Sequence, residues 1–371
     1  MSPNNWVLRC AFVLSQFFLI QPTPIGSAAE SYYQGRTSQI ADIETAVEAN
    51  RIEHRVHGLA LVIVQKDEIV LMKGFGVRDV RRNLPVTPDT LFAIGSCTKA
   101  FTAMAAVIAA DEGRLSLDDS PSKYLPYFRL TNERANASVT IRDLLSHRVG
   151  IGEDDGRLWA LGNRNRRAVI EAGMRAPQKS APGTSFAYNS IMYSAAGEAV
   201  AGAFGLTWEE VIKTRLFEPL GMTVSNTSIT RTIHAYDYSV GYSGNKPVRM
   251  RNLDNIAPAG AINTTARDMA QWLRLLLAGG VWKGKRLVST DGFRQVTTKQ
   301  IEDPPGYYGL GWDVNVVRGM EIVTHSGAID GFRAEVDWMP ELSFGWAVMV
   351  NEDDTNLHRE IGTIIMNKLV P

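Results

Sequence analysis

The chain has 371 residues, 45% of them hydrophobic and 21% charged, with 39 basic and 39 acidic side chains and a formal net charge of +0. This apolar content excludes a disordered chain and is enough for a large core, in one large domain or two. Neutrality without a long run of like charge argues against nucleic acid as the main partner; the densest basic cluster, Arg164, Arg166 and Arg167, reads as a solvated face.

The N-terminus has the pattern of an export signal. Arg9 precedes the apolar run "CAFVLSQFFLI" at 10 to 20, then Pro22, Pro24 and Gly26, then the small residues "SAA" at 27 to 29. Residues 1–29 are therefore expected to be removed near Ala29, leaving a periplasmic or secreted protein. The run is short for a bilayer span, and no other stretch is long enough, so no membrane span is expected after signal removal. Cys10 falls in this segment. Cys97 is the second of the two cysteines, so no intramolecular disulfide is expected. The six histidines, at 54, 57, 147, 234, 325 and 358, form no H-E-x-x-H, and no C-x-x-C occurs. A dedicated zinc site is not expected.

Residues 37 to 53 read as a helix with Ile40, Ile43, Ala46 and Val47 on one side. "GLALVIVQ" and "EIVLMKGFGVRD" read as two strands joined at "KDE". After the turn-like "PVTPDT", the stretch "LFAIGSCTKAFTAMAAVIAADEG", 91 to 113, reads as a helix with Ala100, Met104, Val107 and Ile108 at helical spacing. The middle of the chain is mostly helical, with capping-type starts at Thr140/Asp143, Thr207/Glu210 and Thr265/Asp268. "GLGWDVNVV", "MEIVTHSG", "FRAEVDWMP" and "FGWAVMVNE" read as successive strands, and a helix over 355 to 369 closes the chain. Strands at both ends and helices between them predict an α/β (α+β) fold: one antiparallel sheet from both chain ends, flanked by helices, plus a mainly helical lobe. The expected division is a discontinuous sheet lobe, 30–90 with 276–371, and a helical lobe, 91–275, together one catalytic domain. Ligand sites favour such a crevice between lobes.

Ser96 and Lys99 open the 91 to 113 helix at a spacing that lets them touch. A serine hydroxyl needs a base, and a neutral amine is one. Apolar neighbours and the positive end of a helix both disfavour a charged Lys99, and the same positive end favours negative charge on an oxygen nearby. The alternative is a chance S-x-x-K whose lysine reaches for water. Tyr188, after a Pro-Gly turn in "PGTSFAYNSIMYSAAGEAVAG", is either a proton shuttle beside the lysine or a core aromatic. His325, Ser326 and Gly327 in "VTHSGAIDGF" end a strand whose edge can offer an N–H to an oxyanion and pair with an extended substrate; His325 is otherwise a structural hydrogen-bonder.

Serine-x-x-lysine, a tyrosine about ninety residues later and histidine-x-glycine near the C-terminus come in the order of one large family. The chain resembles the serine β-lactamase and DD-peptidase-like hydrolases, and more narrowly their class C β-lactamase, D-aminopeptidase and esterase branch. "EGRLSLDDSPSKYLPYF", "TIRDLLSHRVGI", "EPLGM", "APAGAINTTARDMAQWL" and "YGLGW" extend the likeness over roughly 37 to 370. The resemblance implies a β-lactamase/transpeptidase-like fold and a Ser96 acyl-enzyme. It implies proton transfer by Lys99 and Tyr188, an oxyanion hole from the backbone N–H groups of Ser96 and Ala328, and substrate binding by Ser190, His325, Ser326 and Gly327. No metal or organic cofactor is implied. The partner is a small-molecule or peptide substrate, with β-lactams among the expected inhibitors.

Two departures qualify this. Ser190 stands where the family's Tyr-x-Asn has asparagine, and a hydroxyl is shorter and donates once. The third element is His-Ser-Gly, not the Lys-Thr-Gly of efficient β-lactamases, which resembles DD-peptidases, D-aminopeptidases and esterases. The expected activity is thus an exported serine hydrolase of peptides, amides or esters. The alternatives are a true class C-like β-lactamase and a catalytically silent binding or scaffold relative. Cys97 reads as packing, turned about 100° from Ser96 on a helix. His147 reads as structural, favouring the negative end of the helix it closes. Tyr308 and Trp312 wall the cleft or fill the core. Asn136, Asn226 and Asn263 are glycosylation sequons that matter only in a glycosylating host.

Overall fold

The computed structural model describes residues 26–152 and 164–370, with side chains from residue 38 onward. The charged start and apolar run of the N-terminal segment lie outside the described residues. Helix α1, Gly26–Glu53, begins well before the expected residue 37, because nothing between 27 and 37 except Gly35 opposes a helix. Strands β1, Gly58–Gln65, and β2, Glu68–Asp79, follow, then the short β3, Leu84–Pro85. The β1–β2 turn is Lys66–Asp67, with Lys66 at φ +56°; Glu68 already belongs to β2.

The central part carries helices α2, Thr98–Asp111, α3, Ser190–Phe204, and α4, Ala266–Leu277. The expected capping boxes form at Thr140/Asp143 and Thr207/Glu210, and Thr265 caps α4 by accepting from the Asp268 N–H. Six strands then complete the sheet: β4, Ile301–Asp303; β5, Gly306–Tyr308; β6, Asp313–Val317; β7, Met320–Ile329; β8, Phe332–Met339; and β9, Phe344–Val350. Helix α5, Leu357–Leu369, ends the chain. The nine strands order as β4-β5-β6-β7-β8-β9-β1-β2-β3, with every neighbouring pair antiparallel. The sheet joins both chain ends where β1 pairs with β9, from Leu59 opposite Val350 to Gln65 opposite Phe344.

β1 reads as an unbroken apolar run because both its faces are covered. Leu59, Leu61 and Ile63 share a core with Ile43 and Val47 of α1 and Leu357, Ile361 and Ile365 of α5. Ala60, Val62 and Val64 face the other way, into the core that contains α2, α3 and α4. Among the described residues no helix is long and apolar enough to cross a membrane.

The stretch from 91 to 97 is not helical as expected. Phe92–Ala93 pairs with Asn263–Thr264, and Gly95–Cys97 form a 3-10 turn that leads into α2 at Thr98. Gly95 sits at φ +48°, which favours glycine and breaks a continuous α-helix there. β6 pairs with β7 as far as Thr324, opposite Asp313. From 325 to 329, β7 keeps β8 on one side, and the 3-10 turn packs against it.

Candidate functional site

Ser96 lies on this turn, partly exposed, and Lys99 in the first turn of α2, 0% exposed. The i, i+3 spacing brings them together on a 3-10 turn as it would on an α-helix, since residues three apart eclipse there. Lys99 Nζ is 3.0 Å from Ser96 Oγ, 3.3 Å from Ser190 Oγ and 3.0 Å from the Ala259 carbonyl oxygen. It also lies 4.7 Å from the Tyr188 ring centroid and 5.6 Å from that of Tyr193. Ala259 is held in place by the helix it serves. Thr102 Oγ1 on α2 donates to the Pro258 carbonyl at 2.7 Å and accepts from Trp208 Nε1 at 3.0 Å.

The turn is locked to β7. Cys97 Sγ donates to the His325 carbonyl at 3.1 Å. A Cβ on Gly327 would stand 2.0 Å from the Ile94 carbonyl oxygen, and one on Gly95 would stand 3.0 Å from both N and O of Ala328. Both glycines let the backbone of the 94–97 turn lie against the backbone of residues 327 and 328. If the turn carries an acyl-transfer nucleophile, as the resemblance implies, Gly327→Ala is expected to part turn and strand and to lower kcat about a hundredfold, the usual cost of an ångström-scale misplacement. Steady-state kinetics on an aryl ester, with a thermal melt alongside, checks this. Unchanged kcat would mean that the approach of β7 to the turn is not needed for turnover.

Tyr188 is half-buried and held from both sides by His147. The His147 carbonyl accepts from the Ala187 N–H at 2.7 Å, and its Nδ1 accepts from the Asn189 N–H at 3.0 Å. Its ring lies on the Tyr188 ring, with centroids 4.1 Å apart, and also meets Tyr193 and Tyr308. An accepting Nδ1 requires the neutral Nε2–H tautomer. Burial, followed by the positive charge Lys99 can carry, pushes its pKa well below 6.5. The reading of His147 as a partner for a helix's negative end is thus corrected: burial keeps it uncharged, and its contacts are with the Tyr188 segment. His147 also sits at φ +55°, past the helix Ile141–Leu145, which turns its ring inward.

Asn189 caps α3. Its Oδ1 accepts from the Met192 N–H at 2.9 Å, and its Nδ2 donates to the Gly152 carbonyl at 3.2 Å. These bonds leave Ser190, the next residue, as the one that meets Lys99.

His325 is buried at 3% exposure. Nδ1 lies 2.7 Å from the Ser326 carbonyl, which only accepts, so Nδ1 carries the proton and Nε2 accepts from Tyr308 O–H at 3.1 Å. Burial first, then Lys99, lowers its pKa to about 3. A neutral ring turned toward Tyr308 offers no cation to a substrate. Ser326 does not join the group. Strand alternation points its hydroxyl to the opposite face, where it accepts from Arg359 Nη2 at 3.3 Å. The structure therefore does not bring the hydroxyl of this expected substrate-binding residue to the others. Tyr308 and Trp312 are core residues at 1% and 0% exposure. Burial raises the Cys97 thiol pKa well above 9.0, so the thiol stays protonated. Among the described residues no group of three His, Cys, Asp or Glu is placed to hold a metal ion.

Ser96, Lys99, Tyr188, Ser190, Gly327 and Ala328 thus converge on one spot, with His325 behind them. Sequence reading missed two participants. The Ala259 carbonyl carries no side-chain signal at all. The only sign of His147 was its residue type in "LLSHRVG".

The Beta-lactamase family model matches residues 41–368. Protein flp of Staphylococcus aureus (strain N315) is 29% identical over 315 residues, 83% of this chain and 62% of that protein. Unguisins hydrolase ungD' of Aspergillus campestris is 29% identical over 343 residues, 85% of this chain and 62% of that protein. The chain therefore spans 62% of the length of these curated relatives. The octameric penicillin-binding protein homologue from Pyrococcus abyssi superposes with a TM-score of 0.80 at 26% identity, over 89% of this chain and 77% of that one.

Proposed function

Because this chain belongs to the beta-lactamase family, with its serine hydrolase fold, we propose that it cleaves a peptide, amide or ester through an acyl-enzyme on Ser96. One observation carries this: a fully buried lysine amine 3.0 Å from a partly exposed serine hydroxyl. The Ala259 carbonyl can only accept, so it takes one amine N–H. A neutral amine has a second N–H for Ser190 Oγ and a lone pair for the Ser96 proton. Ser96 Oγ attacks the substrate carbonyl as its proton passes to Lys99, and the negative oxygen is received by the N–H groups of Ser96 and Ala328. The proton then goes through Lys99 and Tyr188 to the leaving group as its bond breaks. Water then attacks the acyl carbon, its proton passes to Lys99 or Tyr188 and on to Ser96 Oγ as the acyl–Oγ bond breaks, and the acid leaves.

The absence of a positive side chain at His325 supports a peptidase or esterase over an efficient β-lactamase, since no fixed charge awaits a substrate carboxylate there. The name of the Aspergillus relative supports hydrolysis as the reaction class. Residues 9 to 29 support export to the periplasm or outside the cell.

Intact-mass spectrometry with a penicillin, D-amino acid amides, a D-Ala-D-Ala peptide and short-chain aryl esters tests the reading. The expected result is a covalent adduct on Ser96 that clears quickly for esters or amides and slowly for the penicillin. Rapid clearance of the penicillin would favour the β-lactamase alternative. No adduct with any donor, nor with a serine-reactive phosphonate, would leave a silent binding relative.

A further inference from the structure

His147 is kept at two costs to stability. It is buried, yet among the described residues its Nε2, which carries the proton when Nδ1 accepts, has no hydrogen-bond partner. Its φ of +55° is a backbone state that residues with a side chain seldom take. A buried N–H without a partner and a left-handed backbone both oppose folding, and such residues concentrate where function requires them.

The surroundings hold that conformation from both sides. Ser146 Oγ donates to the Arg142 carbonyl at 2.7 Å, and Arg148 donates to Asp143 Oδ1 at 2.6 Å and to the Gln300 carbonyl at 2.8 Å. The Arg148 carbonyl then accepts from the Gly183 N–H, and the Gly150 carbonyl from the Lys179 N–H, each at 2.7 Å. Residues 146–150 thus form a fixed rail along which 179–189 is laid. At its end a single residue supplies two acceptors: the His147 carbonyl takes the Ala187 N–H and Nδ1 takes the Asn189 N–H. Tyr188 is the residue between those two bonds. Its ring lies on the imidazole with a tilt of 32°, and Lys99 Nζ stands 4.7 Å from the centroid of the same ring.

Resting on the serine hydrolase reading, we infer that His147 is a positioning residue for protonation of the leaving group: its carbonyl, its Nδ1 and its ring together fix Tyr188 where the proton is returned. The imidazole carries no proton itself, since Nδ1 is taken by an amide and Nε2 is enclosed by protein. This role has a kinetic signature. A leaving group that is stable as an anion departs without a proton, whereas an alkoxide does not. A displaced Tyr188 therefore slows the second far more than the first, while general damage to the site slows both alike.

The test measures kcat/KM for a nitrophenyl ester and an ethyl ester of one acyl group, with phosphonate labelling of Ser96 on the same preparations. His147→Asn keeps an acceptor and tolerates the left-handed backbone but removes the ring. It is expected to lower kcat/KM about a hundredfold for the ethyl ester and at most about tenfold for the nitrophenyl ester. Tyr188→Phe should show the same preference. Adding His147→Asn to it should cost the ethyl ester less than about threefold more, because residues that act as a unit do not add. His147→Phe, which keeps a ring and removes the acceptor, repeats the measurement should the asparagine variant not fold. Equal losses on both esters, no loss on either, or a full further loss in the double variant, with Ser96 still labelled, would overturn the inference alone. Absence of both labelling and turnover in the wild-type chain would overturn the serine hydrolase reading and the inference with it.

Discussion

Ser96→Ala is expected to lower turnover of every acyl donor by at least about four orders of magnitude and to abolish the covalent adduct. The loss is large because no other hydroxyl or thiol in the group can replace it. Ser190 Oγ is 3.3 Å from the same amine but stands at the start of α3, whereas Ser96 is on the turn that packs against β7 and can present an N–H to the carbonyl oxygen. Cys97 adjoins Ser96 in sequence, yet its thiol is buried, protonated and engaged with the His325 carbonyl. Cys97→Ala should therefore keep most of the activity. Kinetics and intact mass on the two variants check the pair of expectations. An adduct that persists in Ser96→Ala would move the nucleophile elsewhere.

Lys99→Met is expected to reduce kcat about a thousandfold, within the range that a positioned acid–base group supplies. The methionine fills the same buried volume, so the melting temperature should move little. The change removes an amine that is costly to bury, and it also takes a donor from the Ala259 carbonyl; the two effects oppose each other at roughly 1–3 kcal/mol each. Lys99→Arg should rescue nothing, because a guanidinium does not lose its proton at working pH. A variant that restores activity with arginine would mean that Lys99 acts as a fixed cation. Steady-state kinetics with calorimetry on both variants separates these outcomes.

Much of the fold was legible before any coordinates. β1 is a continuous apolar run because both faces are covered, and the capping boxes at Thr140 and Thr207 mark helix starts where they form. Local pattern failed where a tertiary contact set the backbone. The 91 to 97 stretch reads as helix by its apolar content, but Phe92–Ala93 is drawn into pairing with Asn263–Thr264 and Gly95 takes a positive φ to bring the turn onto β7. The short strands β4 and β5 lack a long apolar run, and they exist through pairing at the sheet edge, β4 with β5 and β5 with β6.

Residue types and spacing alone marked out the candidate side chains that the fold brings together: a serine and a lysine three apart, a tyrosine after a Pro-Gly turn, and a glycine two residues after a histidine. Those are properties of short stretches, and a turn of either helical kind brings the first pair together. Tertiary structure decided the protonation states and the directions. His325 and His147 are neutral because burial disfavours their charged forms and the carbonyl or N–H each one faces dictates its tautomer. The Ser326 hydroxyl points away from the site because a strand alternates faces, and the Ala259 carbonyl reaches Lys99 across 160 residues of chain. Desolvation and long-range hydrogen bonding depend on what surrounds a residue in space, and no local pattern encodes that.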